Sequence, residues 1–233
     1  MLKRVSPSVL IYWVILVVIV ILRLLFSLFP SEQIASQMVN LTDNLSIGSI
    51  WLVGWVGVFL APRTGFADMW QKDITNLKRW LIPFLIGLGF GLLSIIFDLL
   101  QPLGEGSLIK FPASLVAYPL AGILEEIIFR LFLTTTIVWI ISEILLRGRW
   151  KEAVFWGTSI FLGIFYTLSQ LNLYQNLAET LDILVLVQFF TMIAANFIVA
   201  AFLYRKYGFL AALSMRMGDY LLWHILWGAI AKG

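Results

Sequence analysis

Apolar residues are gathered into seven long runs that are separated by short polar segments. The runs cover residues 9–29, 47–61, 80–100, 111–141, 154–171, 181–202 and 209–230. A helix crosses a bilayer with about 20 mostly apolar residues, and most of the runs approach or exceed that length. The pattern therefore predicts an all-α, polytopic bundle of about seven transmembrane helices. The more polar residues 31–46 are the candidate for an eighth, half-inserted helix.

Two of the runs depart from the usual length. The second is short, and the fourth is long and contains Pro112 and Pro119. A proline inside a helix removes a backbone hydrogen bond and favours a kink or a break. The fourth run is therefore predicted to be either one tilted helix or a lead-in segment followed by a main helix.

The composition agrees with a membrane location. The chain is 61% hydrophobic and 12% charged, whereas a soluble domain is about half apolar and about a quarter charged. We therefore predict one integral membrane domain over residues 1–233. The first run is too long for a signal peptide and no small-residue cleavage site follows it, so it is predicted to be a retained span. The absence of cysteine excludes disulfides and thiol chemistry.

The positive charges predict an orientation. Eleven of the sixteen Lys and Arg residues lie in the N-terminal segment and in the connections on its side of the membrane, and two lie on the other side. Cytoplasmic loops carry the excess of Lys and Arg in membrane proteins. We therefore expect a cytoplasmic N-terminus and an outer C-terminus, in what we predict to be a bacterial plasma membrane. Charges spread over short loops in this way do not indicate binding to nucleic acid.

Three charged residues interrupt the fourth apolar run: Glu125, Glu126 and Arg130. Each costs at least ~2.5 kcal/mol in the centre of a membrane helix. Glu126 and Arg130 are four residues apart and share a helix face, and Glu125 lies about 100° around the axis from Glu126. One interpretation is a buried ion pair that fixes helix packing. The other is a catalytic pair of carboxylates with a supporting arginine, because one arginine neutralises only one of the two glutamates.

The pattern E-E-x-x-x-R inside a predicted transmembrane helix resembles the first motif of the CAAX-protease and bacteriocin-processing family of intramembrane proteases. The resemblance covers about residues 111–233. It implies a helical membrane protein that hydrolyses a peptide bond in a membrane-associated protein or peptide. By position it implies that Glu125 is the general base that activates a water, with Glu126 and Arg130 as the groups that orient and tune it.

Two further family motifs match in part. The second motif is F-x-x-x-H, and here Phe165 is followed four positions later by Ser169. The third is H-x-x-x-N or H-x-x-x-D, and here Met215 precedes Asp219. The histidines of both motifs are therefore absent from this chain. In the family, these are the residues for metal binding or transition-state stabilisation. Zinc is the cofactor that the resemblance implies, but its ligand set is incomplete here, so no metal ligands are assigned.

The last apolar run contains further polar residues. Arg216, Asp219, Tyr220 and Trp223 have the spacing of one helical stripe, and His224 is four residues after Tyr220. One interpretation is an ion pair between Arg216 and Asp219 within the helix, with His224 bonded to a neighbour. Another is that His224 has taken the role of the missing histidines.

A third interpretation concerns charge balance. The positive charges of Arg130 and Arg216 would together offset the negative charges of Glu125 and Glu126. In a metal-dependent member of the family, a metal cation would offset the charges of the glutamate pair. A guanidinium does not ionise a bound water in the way that zinc does.

The candidate residues fall into two groups. The predicted catalytic residues are Glu125, Glu126, Arg130, Asp219 and His224, and the predicted substrate-binding residues are Phe165, Ser169, Arg216, Tyr220 and Trp223.

The predicted function is an intramembrane endopeptidase, whose partners are the lipid bilayer and a membrane-associated protein or peptide substrate. The alternative is a catalytically inactive relative that acts as a membrane binding, immunity or partner-stabilising protein, and the two missing histidines favour it. A small transporter is the third hypothesis, which the E-E-x-x-x-R pattern disfavours. Whether the chain is an enzyme stays open at this point.

Overall fold

The computed structural model describes residues 6–29, 44–102, 108–175 and 183–231. These residues form a helical bundle and contain no β-strand. Seven helices are present within them, several with π-helical stretches. They are α1 (Pro7–Phe26), α2 (Asn44–Thr64), α3 (Leu77–Leu100), α4 (Ser114–Leu145), α5 (Lys151–Gln175), α6 (Ile183–Tyr207) and α7 (209–231). The predicted all-α bundle is confirmed.

The first six helices, α1 to α6, are long and apolar enough to cross a membrane. The protein is therefore an integral membrane protein. Of the proposed eighth segment, residues 31–43 lie outside the described ranges. The fourth apolar run is one helix from Ser114 onward: Pro112 precedes its first residue, and Pro119 lies inside it.

The seventh helix has spanning length but is not among the six apolar spans. It contains Arg216, Asp219 and His224, which lower its mean hydropathy. Nine of the eleven residues in its first segment, Phe209–Asp219, are buried. Arg216 and Asp219 are tolerated in this position because protein rather than lipid surrounds this segment. The polar residues of α7 thus mark it as an inner helix of the bundle.

Helices α3 and α7 approach each other through glycines. A Cβ atom on Gly87 would overlap the carbonyl oxygen of Met215, and one on Gly218 would overlap the carbonyl oxygen of Phe84. On Gly91 it would lie 3.0 Å from the Cβ of Leu222. Small residues permit such backbone contact in membranes, where packing rather than hydrophobic exclusion drives helices together. This contact fixes the position of the charged part of α7 within the bundle.

Replacement of Gly87 by alanine tests the close contact. The added methyl group has no room against the Met215 backbone, so we expect Gly87→Ala to lower the free energy of unfolding by about 1–3 kcal/mol, as overpacking does. Thermal unfolding in detergent micelles measures the change. Gly89→Ala is the matched control, because a Cβ there meets nothing within 4 Å. Equal unfolding midpoints for the two variants would contradict the contact.

Candidate functional site

Glu126 forms ion pairs with arginines of two helices, and Arg216 also donates a hydrogen bond to it. Its side chain is fully buried, and its Oε1 lies 3.1 Å from both Nε and Nη2 of Arg216 on α7. Its Oε2 lies 3.5 Å from Nε of Arg130, one helical turn further along α4. One buried carboxylate is thus shared by two guanidinium groups, and it ties α4 to α7.

Arg130 is also fully buried, and it extends the cluster to α6. Its Nη2 donates a hydrogen bond of 3.1 Å to the carbonyl oxygen of Phe197. Its guanidinium carbon lies 3.7 Å from the centroid of the Phe197 ring, which is within cation–π range. These contacts join Arg130 to α6, whereas its buried Nε and Nη1 have no hydrogen-bond partner among the described residues.

Glu125 has a different environment from that of its neighbour. Its Oε1 accepts a hydrogen bond of 3.0 Å from the hydroxyl of Tyr166 on α5, and its Oε2 accepts one of 2.8 Å from the hydroxyl of Tyr220 on α7. Its side chain is partly exposed, and within the described ranges it forms no ion pair. Adjacent helical positions point about 100° apart, which explains how the two glutamates reach different partners.

Asp219 is bound to a side chain of α6. The amide Nδ2 of Asn196 donates a buried hydrogen bond of 3.0 Å to Oδ2 of Asp219. The intrahelical pair of Arg216 with Asp219, one of the interpretations of the sequence, is not formed. Arg216 is bound to Glu126 across the bundle instead, because that fully buried carboxylate lies within reach of its guanidinium.

His224 lies in an aromatic group beside the carboxylates. Its ring stacks on Tyr118, with centroids 4.3 Å apart, and packs edge-on against Tyr220 at 4.6 Å. The buried Trp223 lies 6.2 Å away by ring centroids. Nδ1 of His224 is buried and has no hydrogen-bond partner among the described residues. The histidine therefore touches the cluster through the Tyr220 ring, which also carries the hydroxyl bound to Glu125.

Two predicted substrate-binding residues lie away from the cluster. Phe165 is 59% exposed, and the hydroxyl of Ser169 donates to the carbonyl oxygen of Tyr166 within its own helix. The side chain that α5 sends to the acidic pair is Tyr166. Sequence analysis missed it because the motif drew attention to Phe165, and one position along a helix separates a lipid-facing side chain from an inward one.

Three helices change to π-helical geometry at this cluster. In α4 the π-helical stretch Ile127–Thr134 follows Glu126 directly, and in α7 the stretch Tyr220–Trp227 follows Asp219. In α6 the stretch Phe190–Ala195 ends immediately before Asn196. Such wide turns are rare and occur frequently at functional sites. Two further π-helical stretches, Leu77–Leu81 and Trp139–Leu145, lie elsewhere in the described residues, so this geometry accompanies the cluster without being confined to it.

The residues present do not fit a zinc ion. Glu126 is bound by two arginines, both oxygens of Glu125 accept from phenols, and the His224 ring is packed between tyrosines. No three His, Asp or Glu side chains in the described part of the chain are grouped to hold a metal. A zinc site needs at least three such ligands around one point.

The cluster contains three carboxyl groups and two guanidinium groups. Glu126 forms ion pairs with Arg130 and Arg216, Glu125 accepts from two tyrosine hydroxyls, and Asp219 accepts from Asn196.

Comparisons of the chain with protein-family models, curated proteins and solved structures find no match. The geometry of this cluster, together with its sequence pattern, is therefore the basis for assigning a function.

The Glu126 ion-pair network can be tested by a double-mutant cycle. Glu126→Gln leaves two buried guanidinium groups without their carboxylate, so we expect a loss of about 3–5 kcal/mol in the free energy of unfolding. Adding Arg216→Gln removes one stranded charge, so the double variant is expected to lose less than the two single variants together. Chemical denaturation in mixed micelles gives these values.

The control for this cycle is Glu143→Gln. Glu143 pairs with Lys151 at a half-exposed position, where an ion pair contributes about 0–1 kcal/mol. Similar losses for Glu126→Gln and Glu143→Gln would show that the buried network is not a main source of stability.

Proposed function

We propose that this chain is an intramembrane endopeptidase that hydrolyses a peptide bond of a membrane-associated protein or peptide, with Glu125 activating the water. The observation that carries the proposal is that two adjacent glutamates differ in their burial and in their binding partners. Glu126 is fully buried and bound to two arginines. Glu125 is partly exposed and is held by two neutral phenols.

Glu126 suits a positioning role. Its side chain is fully buried, and both of its carboxylate oxygens face guanidinium groups. Glu125 suits the role of general base. Each carboxylate oxygen has two lone pairs, and the described contacts use one on each oxygen, so a second remains to accept from a water.

The proposed reaction uses groups that already meet at Glu125. Its carboxylate takes a proton from water while the water oxygen forms a bond to the carbonyl carbon of the substrate. The resulting oxyanion accepts hydrogen bonds from the hydroxyls of Tyr166 and Tyr220, which in the resting state donate to Glu125. Collapse of the intermediate breaks the carbon–nitrogen bond, and Glu125 returns its proton to the leaving amine.

The sequence resemblance supports the same roles. The E-E-x-x-x-R pattern is that of the CAAX-protease and bacteriocin-processing family, in which the first glutamate is the base. The two phenols come from α5 and α7, the helices on which the motif matches place Ser169 and Met215 where the family has histidines. Hydrogen-bond donors from the same two helices would thus replace the missing imidazoles.

The cellular setting is part of the proposal. The excess of Lys and Arg on the N-terminal side favours a cytoplasmic N-terminus in a bacterial plasma membrane. Glu125 lies in the first half of α4, which runs from Ser114 to Leu145. Its partner Tyr220 lies at the middle of α7, which runs from residue 209 to 231. With this orientation we expect the cluster to lie near the middle of the membrane.

Glu125→Gln is the direct test of catalysis. We expect cleavage to fall by about 10²–10⁴-fold, because the amide cannot accept the proton of the water. New N-termini are labelled and counted in membranes of cells that make the wild type, Glu125→Gln or the surface control Glu143→Gln. The wild type and the control should share a set of new termini that Glu125→Gln lacks. Identical sets in all three would contradict a role for Glu125.

The tyrosines give a graded prediction. Tyr166→Phe and Tyr220→Phe each remove one donor, so we expect the cleavage rate to fall by about 10²-fold for each. The rings and the fold are kept, and the unfolding midpoint should change little by comparison. Rates of wild-type speed in both variants would remove the phenols from the mechanism.

A second function is favoured by a specific observation. His224 lies in the aromatic group rather than against a carboxylate, and the motif positions hold Ser169 and Met215. An inactive relative that binds a membrane partner would have these features. In that case cells with the wild type and cells without the protein share the same termini, and affinity capture recovers the same partner with the wild type and with Glu125→Gln.

A further inference from the structure

The connection between α4 and α5 is a tight turn of unusual backbone geometry. Its residues 146–150 have the sequence Leu-Arg-Gly-Arg-Trp, called here the 146–150 turn. Arg147, Gly148 and Trp150 have φ angles of 50°, 82° and 60°. Glycine adopts such values freely, but arginine and above all tryptophan rarely do. Backbone strain of this kind persists where the structure holds it in place and is common at binding sites.

One backbone hydrogen bond joins the turn to the end of α4, and another closes the turn itself. The N–H of Gly148 donates to the carbonyl oxygen of Ser142 at 2.7 Å, and the N–H of Arg149 donates to that of Leu146 at 3.1 Å. The side chain of Trp150 is nevertheless 74% exposed. An indole held outward on a rigid turn is not serving the core of this protein.

The surroundings of Trp150 indicate a membrane interface. Ile144 and Leu145, on the last turn of α4, are also exposed and apolar. Tryptophan is enriched where hydrocarbon meets the headgroup layer, because its ring is apolar and its N–H is polar. This composition suits a membrane interface, with the apolar side chains toward the hydrocarbon and the arginines toward the headgroups.

Arg147 and Arg149 are exposed and lack acidic partners among the described residues. The nearby acids are already paired, Glu143 with Lys151 and Glu152 with Arg205. Among the residues that the structure describes, the two guanidinium groups of this short turn thus have no acidic counter-charge. Guanidinium binds phosphate oxygens through parallel hydrogen bonds, which a compact ammonium group does not reproduce.

We propose that the 146–150 turn binds the phosphate of an anionic phospholipid headgroup. The two arginines bind the phosphate, and Trp150 with the exposed end of α4 covers the start of the acyl chains. The apolar part of this surface favours a lipid over a free anion, which has nothing to place against it. The proposal is independent of the proposed peptidase function, because it uses no residue of the Glu125 cluster.

The test measures lipid binding to the purified full-length protein. Native mass spectrometry counts bound molecules during titration with phosphatidylglycerol or with phosphatidylcholine of the same chain length. We expect the wild type to prefer phosphatidylglycerol, and Arg147→Gln/Arg149→Gln to weaken that binding about tenfold or more. The control is Lys72→Gln/Lys78→Gln, which removes the same charge from another exposed stretch and should bind as the wild type does.

Three further arms make the result specific. Arg147→Lys/Arg149→Lys keeps the charge and should still bind more weakly than the wild type, because the bidentate geometry is lost. Trp150→Ala should weaken binding of long-chain phosphatidylglycerol more than of short-chain phosphatidylglycerol. An excess of inorganic phosphate should leave the bound lipid in place.

Four outcomes would overturn the proposal. The first is an equal loss of phosphatidylglycerol binding in the Arg147/Arg149 and Lys72/Lys78 double variants, and the second is a wild type that shows no preference for phosphatidylglycerol. The third is displacement of the bound lipid by inorganic phosphate. The fourth is a Trp150→Ala variant that binds phosphatidylglycerol of both chain lengths as well as the wild type does.

Discussion

The carboxylate of Glu126 is the group on which the rest of this bundle depends. A buried charge is costly unless it is paired and hydrogen-bonded, and Glu126 has an arginine from its own helix and one from α7. The arginines are in turn fixed by Glu126, and Arg130 is also bound by the Phe197 carbonyl on α6. Three helices are thus joined at one point. Apolar packing alone would not specify how each helix is rotated about its axis. The ion pair between Glu126 and Arg216 determines which face of α7 packs against α4.

This fixed rotation gives Glu125 its own environment. Because the neighbouring carboxylate is committed to the arginines, Glu125 is directed toward the phenols of Tyr166 and Tyr220. The close glycine contacts between α3 and α7 fix the position of the α7 backbone that carries Tyr220. An ionisable group that is partly exposed, hydrogen-bonded to movable donors and backed by a rigid ion pair has the properties that a reactive carboxylate needs. The structural and the proposed chemical roles are therefore divided between two consecutive residues.

Much of this architecture could be predicted from the sequence. The apolar runs gave the helices, and the cost of charge in hydrocarbon identified Glu125, Glu126 and Arg130 as inward-facing. The partners across the bundle were harder to predict, since Tyr166 differs from the other aromatic residues of α5 only by its angle around the axis. The partner of Arg216 was also ambiguous, because the spacing to Asp219 fits an intrahelical pair equally well. The rotation of each helix and the distances between helices decide which side chains pair. The periodicity of the sequence does not give either quantity.

The burial of α7 has a consequence for how the protein is made. Arg216 and Glu126 are separated by ninety residues along the chain, so α4 leaves the ribosome long before its main counter-charge exists. Until then Glu126 has only Arg130, and α7 on its own is a poor candidate for stable insertion into lipid. The last helix must enter the membrane by joining helices that are already there. Loss of the C-terminal segment would therefore leave Glu126 with Arg130 as its remaining counter-charge in the described structure.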